Sequence, residues 1–197
     1  MKSTFLAMFT LLLIGTGCVR SVHPFYTDAQ LTYDPAVVGT WSDAERNNAF
    51  TITADAEQKQ YSVAYTDKDG KVGHFIVHLA KLERLQPPPQ LLADIVPDEP
   101  KLEENDTYKA HLLPLHSFML VSYNAAEMKL RMMDRDWLDK FLQSHPDALK
   151  HERIGQDQTI LTASTDELQK FILNNLETKD AFGDPTELRR IGPTTRP

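Results

Sequence analysis

The sequence predicts a mainly β fold of the α+β kind. It is an antiparallel sheet of about eight strands, curved or closed into a barrel, with helices in the C-terminal third. Three observations carry this expectation. From Val37 onward, short runs rich in Val, Ile, Tyr, Phe and Thr recur between turn-forming residues. In KQYSVAYT, Tyr61, Val63 and Tyr65 alternate with smaller or polar residues, the period of a strand with one buried face. Helical spacing begins only at Asp134, in DRDWLDKFLQ.

Taken in order, VVGTW opens the β region and AFTIT follows a polar turn. KQYSVAYT, the turn DKDG and the returning KVGHFIVHLAKL form the strongest hairpin signal in the chain. Beyond Pro87, Pro88 and Pro89, QLLADIV reads as another strand; HLLPLHSFMLVSY and EMKLRMM pair across residues 124–126. QTILTA then closes the set. Among helices, Trp137, Leu138, Phe141 and Leu142 share one stripe, with Asp134 and Asp136 as charges suited to the positive helix start. Pro146 to Leu149 reads as a short turn or helix. Ser164 and Glu167 form an S-x-x-E capping box for TDELQKFILNNL, whose buried face is Leu168, Phe171, Ile172 and Leu176. Asp184-Pro185-Thr186-Glu187 repeats the cap logic, with proline at the first helical position, and predicts a last helix. PDEPKLEEND, between Pro97 and Asp106, is an acidic solvated connection.

The first 17 residues have the layout of a secretory signal: Lys2, an apolar run of about a dozen residues, then Gly15, Thr16 and Gly17. That run is shorter than the roughly 17–25 residues a spanning helix needs. Cys18 is the single cysteine of the chain, so no intramolecular disulfide forms. Thr16-Gly17-Cys18 resembles the lipobox of bacterial lipoproteins, with Gly15 where those signals carry leucine. The resemblance implies cleavage before Cys18, a thioether-linked diacylglycerol on its sulfur and a third acyl chain on the new amine. Two or more acyl chains make anchoring stable. Val19, where retention signals carry aspartate, implies the periplasmic face of the outer membrane in a Gram-negative host. The expected organisation is a signal peptide at 1–17, a lipid anchor and tether at 18–36, one β-rich domain at 37–191 and a disordered tail at 192–197.

Gly39-Thr40-Trp41 resembles the G-x-W motif at the first strand of lipocalins, where the tryptophan packs across the closed end of the barrel. The departure is the helical segment Trp137 to Leu149, which falls between the last two predicted strands instead of after them. The stretches CVRSVHPFY, VGTW, LPLHSF, DRDWL and LTASTDELQKF are similar to a group of bacterial lipoproteins with no assigned activity. That likeness implies compartment and fold but no function.

The formal charge of −7 disfavours nucleic acid and direct adhesion to anionic lipid as partners. His74 and His78, on one face of a strand, lie roughly 13 Å apart, too far to share one ion. His111 and His116 flank Pro114 and differ by an odd number, so no metal site is predicted. Ser117 neighbours His116, yet adjacent strand residues face opposite ways, and no nucleophile elbow or phosphate loop is present. No cofactor is implied and no catalytic residue is assigned. The reading that remains is a lipid-anchored cell-envelope protein that binds a small apolar ligand. Its alternatives are an envelope structural or protein-interaction lipoprotein, and a periplasmic hydrolase or metal enzyme without a recognised motif. The site residue it names is Cys18, for lipidation; ligand-binding residues stay unassigned.

Overall fold

The computed structural model describes residues 18–83, 90–98, 106–109, 111–155 and 158–191. The predicted signal peptide, the three prolines 87–89, most of the acidic connection and the tail at 192–197 lie outside the described residues. The strands are β1 (Arg20–Ser21), β2 (Leu31–Thr32), β3 (Gly39–Asp43), β4 (Asn48–Asp55), β5 (Gln60–Thr66), β6 (Val72–Ala80) and β7 (Leu91–Pro97). They continue with β8 (His116–Tyr123), β9 (Glu127–Arg131), β10 (His151–Ile154), β11 (Gln158–Leu161) and β12 (Thr186–Ile191). The α-helices are α1 (Asp106–Lys109), α2 (Arg135–Ser144) and α3 (Thr165–Asn174).

β3 to β9 run as an up-and-down antiparallel meander. β12 then enters between β9 and β3, and β9 pairs with β8, so that eight strands close into a barrel. The fold is the lipocalin-like barrel expected. Closure leaves these eight strands without a free edge. The excursion between β9 and β12 carries α2, β10, β11 and α3 over the outer wall before the chain returns to close the ring.

The structure corrects two local expectations. The segment after Pro185 is the closing strand β12, not a helix: Thr186, Leu188 and Arg190 alternate with outward residues, and Leu188 is fully buried opposite Met128. A proline at the head of a strand is as permissible as one at the head of a helix, and barrel closure decides between them. QTILTA contains β11, which lies outside the barrel, parallel to β1 and antiparallel to β10. Pro146 to Leu149 is a turn, one of the two forms expected. β10 is a sheet edge, four residues long with Glu152 and Arg153 exposed, which blunts it against further pairing.

Two apolar cores result. The inner one fills the barrel with Trp41, Ile52, Tyr61, Leu79, Leu188 and their neighbours. The outer one packs Leu138 and Leu142 of α2 and Leu168, Phe171 and Ile172 of α3 against the wall at Leu92, Phe118 and Leu120. Asp134, read as a helix-start charge, caps α2, its Oδ1 accepting the Trp137 N–H at 2.7 Å, and Ser164 with Glu167 completes the expected capping box of α3. Residues 18–36 are folded onto the body. Val19, Ser21 and Phe25 are buried, β1 is paired with both β8 and β11, and β2 pairs with the end of β6.

Candidate functional site

One end of the barrel is sealed. Between β2 and β3 the chain crosses it as a single 3-10 turn, Pro35–Val37, whose capping residue Asp34 accepts the Ala36 N–H at 2.8 Å. Tyr123 donates to the other Asp34 oxygen at 2.8 Å, and Tyr61 meets both the N–H and the C=O of Asp34. Burial pushes the Tyr61 hydroxyl up to about 12 and the Tyr123 hydroxyl upward too, with the Asp34 carboxylate adding to the latter. Both phenols therefore stay neutral donors. Tyr123→Phe leaves that carboxylate oxygen short of a donor and is expected to cost about 1.5–3 kcal/mol in chemical denaturation.

Trp41 is fully buried beneath this plug, and its Nε1 donates to Val37 O at 2.9 Å. Arg190, from the closing strand, lies 4.0 Å over the Trp41 ring. Its guanidinium donates to three carbonyls, those of Ala36, Val38 and Ala125. Gly39 has φ +136°, and a Cβ there would collide with Arg190 Nη1, so glycine is required on both counts. First strand, last strand and plug are thus locked around one indole.

Toward the other end the inward-facing side chains are less deeply buried. Phe50 pairs with Trp41 across β3–β4 and with Tyr65 across β4–β5, which puts both aromatic rings inside; their centroids are 4.9 Å apart. By the same register Phe75, Ile95, Met119 and Leu130 face inward, opposite Val63, Val77, Ala93 and Val121 respectively. All six are half-buried, whereas the floor below them is closed by Trp41, Tyr61, Leu79 and Leu188. These side chains line the barrel above its sealed base, and Phe50, Met119 and Leu130 pack against the inner core. At its rim Arg46 bonds to Asp43 and to Thr186 Oγ1. Among the described residues the one buried side-chain polar atom without a hydrogen bond is Arg135 Nε, on α2 outside the barrel. The barrel is compatible with a small-ligand binding module.

On the outer wall, a second cluster gathers around Asp94 of β7, which is 0% exposed. Its Oδ1 accepts the Phe25 N–H at 2.8 Å, and its Oδ2 lies 2.8 Å from His116 Nδ1. A carboxylate only accepts, so Nδ1 carries the proton there. His78 sits directly opposite Asp94 on β6, and its ring lies 5.0 Å from that of Tyr26. Burial holds the His78 imidazole below its usual 6.5, against the opposing pull of Asp94, with His116 adding to the lowering. The same burial, with Asp94 and Asp28, raises the Tyr26 hydroxyl.

Of the histidines read from the sequence, the fold therefore joins His78 and His116 around one carboxylate and leaves His74 exposed elsewhere on β6. His111 is exposed, and its Nδ1 contacts Thr107 O in the turn of α1. Among the described residues no three His, Cys, Asp or Glu side chains are placed to hold a metal ion. Ser117 faces the interior opposite Ile95. Ser21, opposite His116 on β1, is fully buried, and its Oγ accepts the His23 N–H, so it presents no nucleophile. Asp134 caps α2, Asp136 is in its first turn, and Cys18 is exposed. Sequence reasoning missed Asp94, Asp34 and Arg190. The one local signal for Asp94 is a lone charge within the apolar run LLADIV.

Comparison with known protein families, with characterised proteins and with solved structures finds no match.

Proposed function

We propose that this chain is a lipid-anchored cell-envelope protein whose barrel binds a small apolar ligand without transforming it. The observation that carries the reading is the lining of the barrel: six half-buried aromatic and aliphatic side chains stand above a sealed floor, and among the described residues no buried side-chain polar atom inside the barrel lacks a hydrogen bond. A ligand of this kind would exchange water-exposed wall for buried apolar contact at roughly 25 cal/mol per Å². Anchoring through acylated Cys18 is supported by the resemblance of the leader and by the exposure of that residue beside a buried Val19. No helix among the described residues is long and apolar enough to cross a membrane, so the acyl chains would be the attachment. The periplasmic face of a Gram-negative outer membrane is the compartment we infer from Val19.

The test is native mass spectrometry of the protein extracted from its own membranes. A retained non-covalent mass of lipid or small-molecule size is expected, together with a covalent mass on Cys18 that Cys18→Ala removes. Met119→Glu places a charge in the wall and is expected to weaken retention at least tenfold while the circular dichroism stays unchanged. Bare protein from wild type and variant alike refutes the ligand reading. A co-purifying protein in its place supports the interaction reading, which Leu112 and Leu113 favour. They are 49% and 67% exposed in the segment leading into β8, at the end opposite the plug.

A further inference from the structure

We propose that residues 19–30 form a clasped strap, fastened at the buried Asp94, and that acidification loosens it. The strap crosses the outer wall from β8 to β6. β1 pairs beside the first residues of β8, Phe25 lies over Phe118 with ring centroids 4.7 Å apart, and Tyr26 covers His78. Only a few polar bonds hold its middle. Phe25 N–H goes to Asp94, Phe25 C=O and Gln30 take Gln169 Nε2 from α3, and Pro24 C=O takes the Thr165 hydroxyl. Of these, the Asp94 bond alone reaches into the cluster that holds His78 and His116.

A buried carboxylate needs every partner it has. Asp94 has two, one from the strap and one from His116, whose side chain is 20% exposed. His78 faces it from β6, Tyr26 and Asp28 from the strap, and His116 from β8; α3 contributes the uncharged Gln169. His78 is the group that responds. With the strap closed its imidazole is half-buried against Tyr26 and favours the neutral form; with the strap open it regains water and its ordinary proton affinity. The closed form is therefore fully favoured above the ordinary value of 6.5, and the preference is lost as the pH falls from there through the lower closed-state value. One titrating group changes the opening equilibrium by no more than about tenfold per pH unit.

The device matters for anchoring. Cys18 emerges directly from the folded body, so a closed strap holds the barrel against whatever Cys18 is attached to. An open strap supplies about a dozen residues, a reach of roughly 40 Å. This consequence rests on the anchor reading; the opening does not.

The experiment is amide hydrogen exchange of the full chain in detergent, from pH 7.5 to 5.0, with rates corrected for intrinsic exchange. Val22 and Phe25 N–H are bonded across the strap, and Val77 and Val121 lie in barrel strands paired on both sides. Protection at Val22 and Phe25 is expected to fall several-fold on acidification while Val77 and Val121 hold. His78→Gln is expected to keep strap protection at pH 7.5 and to flatten its pH response. Asp94→Ala is expected to remove strap protection at both pH values. Strap amides that exchange only as fast as the barrel amides at every pH would overturn the proposal, as would a pH response surviving in His78→Gln. Cys18→Ala separates the two readings, since it abolishes acylation and leaves strap exchange unchanged.

Discussion

Trp41→Ala is expected to destabilise the protein by about 4 kcal/mol, a fall in Tm of roughly 10 °C for a domain of this size. The indole is fully buried, and three elements meet on it: the 3-10 plug through Val37 O, the first barrel strand, and Arg190 of the closing strand. Its removal leaves a cavity and takes away the surface over which the guanidinium is held. Arg190→Ala is expected to cost about 2–3 kcal/mol, because the carbonyls of Ala36, Val38 and Ala125 lose their shared donor. Arg190→Lys rescues little, since one ammonium cannot serve three carbonyls from a single plane over the ring. The measurement is a double-mutant cycle in urea. A Trp41–Arg190 coupling of at least about 1 kcal/mol is expected; additive losses would mean that the two side chains stabilise the closed end independently.

Asp94→Ala is the second substitution with a large expected effect, about 3 kcal/mol at pH 7.5 by urea denaturation. The Phe25 N–H and His116 Nδ1 both lose their acceptor inside the outer core, and each stranded group costs about 1–3 kcal/mol. Release of a buried charge offsets part of that. Asp94→Asn is the informative companion. An amide oxygen still accepts from Phe25, and its NH₂ donates to His116 once the imidazole proton moves to Nε2, so a loss of about 1 kcal/mol is expected. Equal losses in the two variants would show that the negative charge, rather than the hydrogen-bond geometry, holds the cluster together.

How far each feature was legible follows from the range of the interaction that makes it. Seven of the eight barrel strands were read from apolar and β-branched runs set between turn residues, because one face of each meets the inner core and the other meets water or the outer core. The capping box at Ser164 was read correctly, since it is complete within four residues, whereas Asp134 was read as a helix-start charge and is the cap of α2. The eighth strand was misread because Pro185 and Glu187 satisfy a helix start locally. Only the neighbours Ser42 to Thr40 on β3 and Leu130 to Glu127 on β9 make residues 186–191 extended. The histidines followed the same rule. Distance along one strand face sets His74 apart from His78, but no spacing could place His116 beside His78, because β7 stands between their strands and carries the carboxylate that joins them.

Short-range chemistry therefore specified seven of the barrel strands, the turn at residues 67–70, the capping box of α3 and the G-T-W start, each of which is a property of a few adjacent residues. The assembled chain alone determined that β12 closes the ring, that Arg190 covers Trp41, that one end of the barrel is sealed, and that Asp94 takes the Phe25 N–H. The Asp94–Phe25 bond joins residues 69 positions apart and the Arg190–Ala36 bond residues 154 apart, and the free energy that selects such pairings comes from burial and hydrogen bonding that exist only once the barrel has formed.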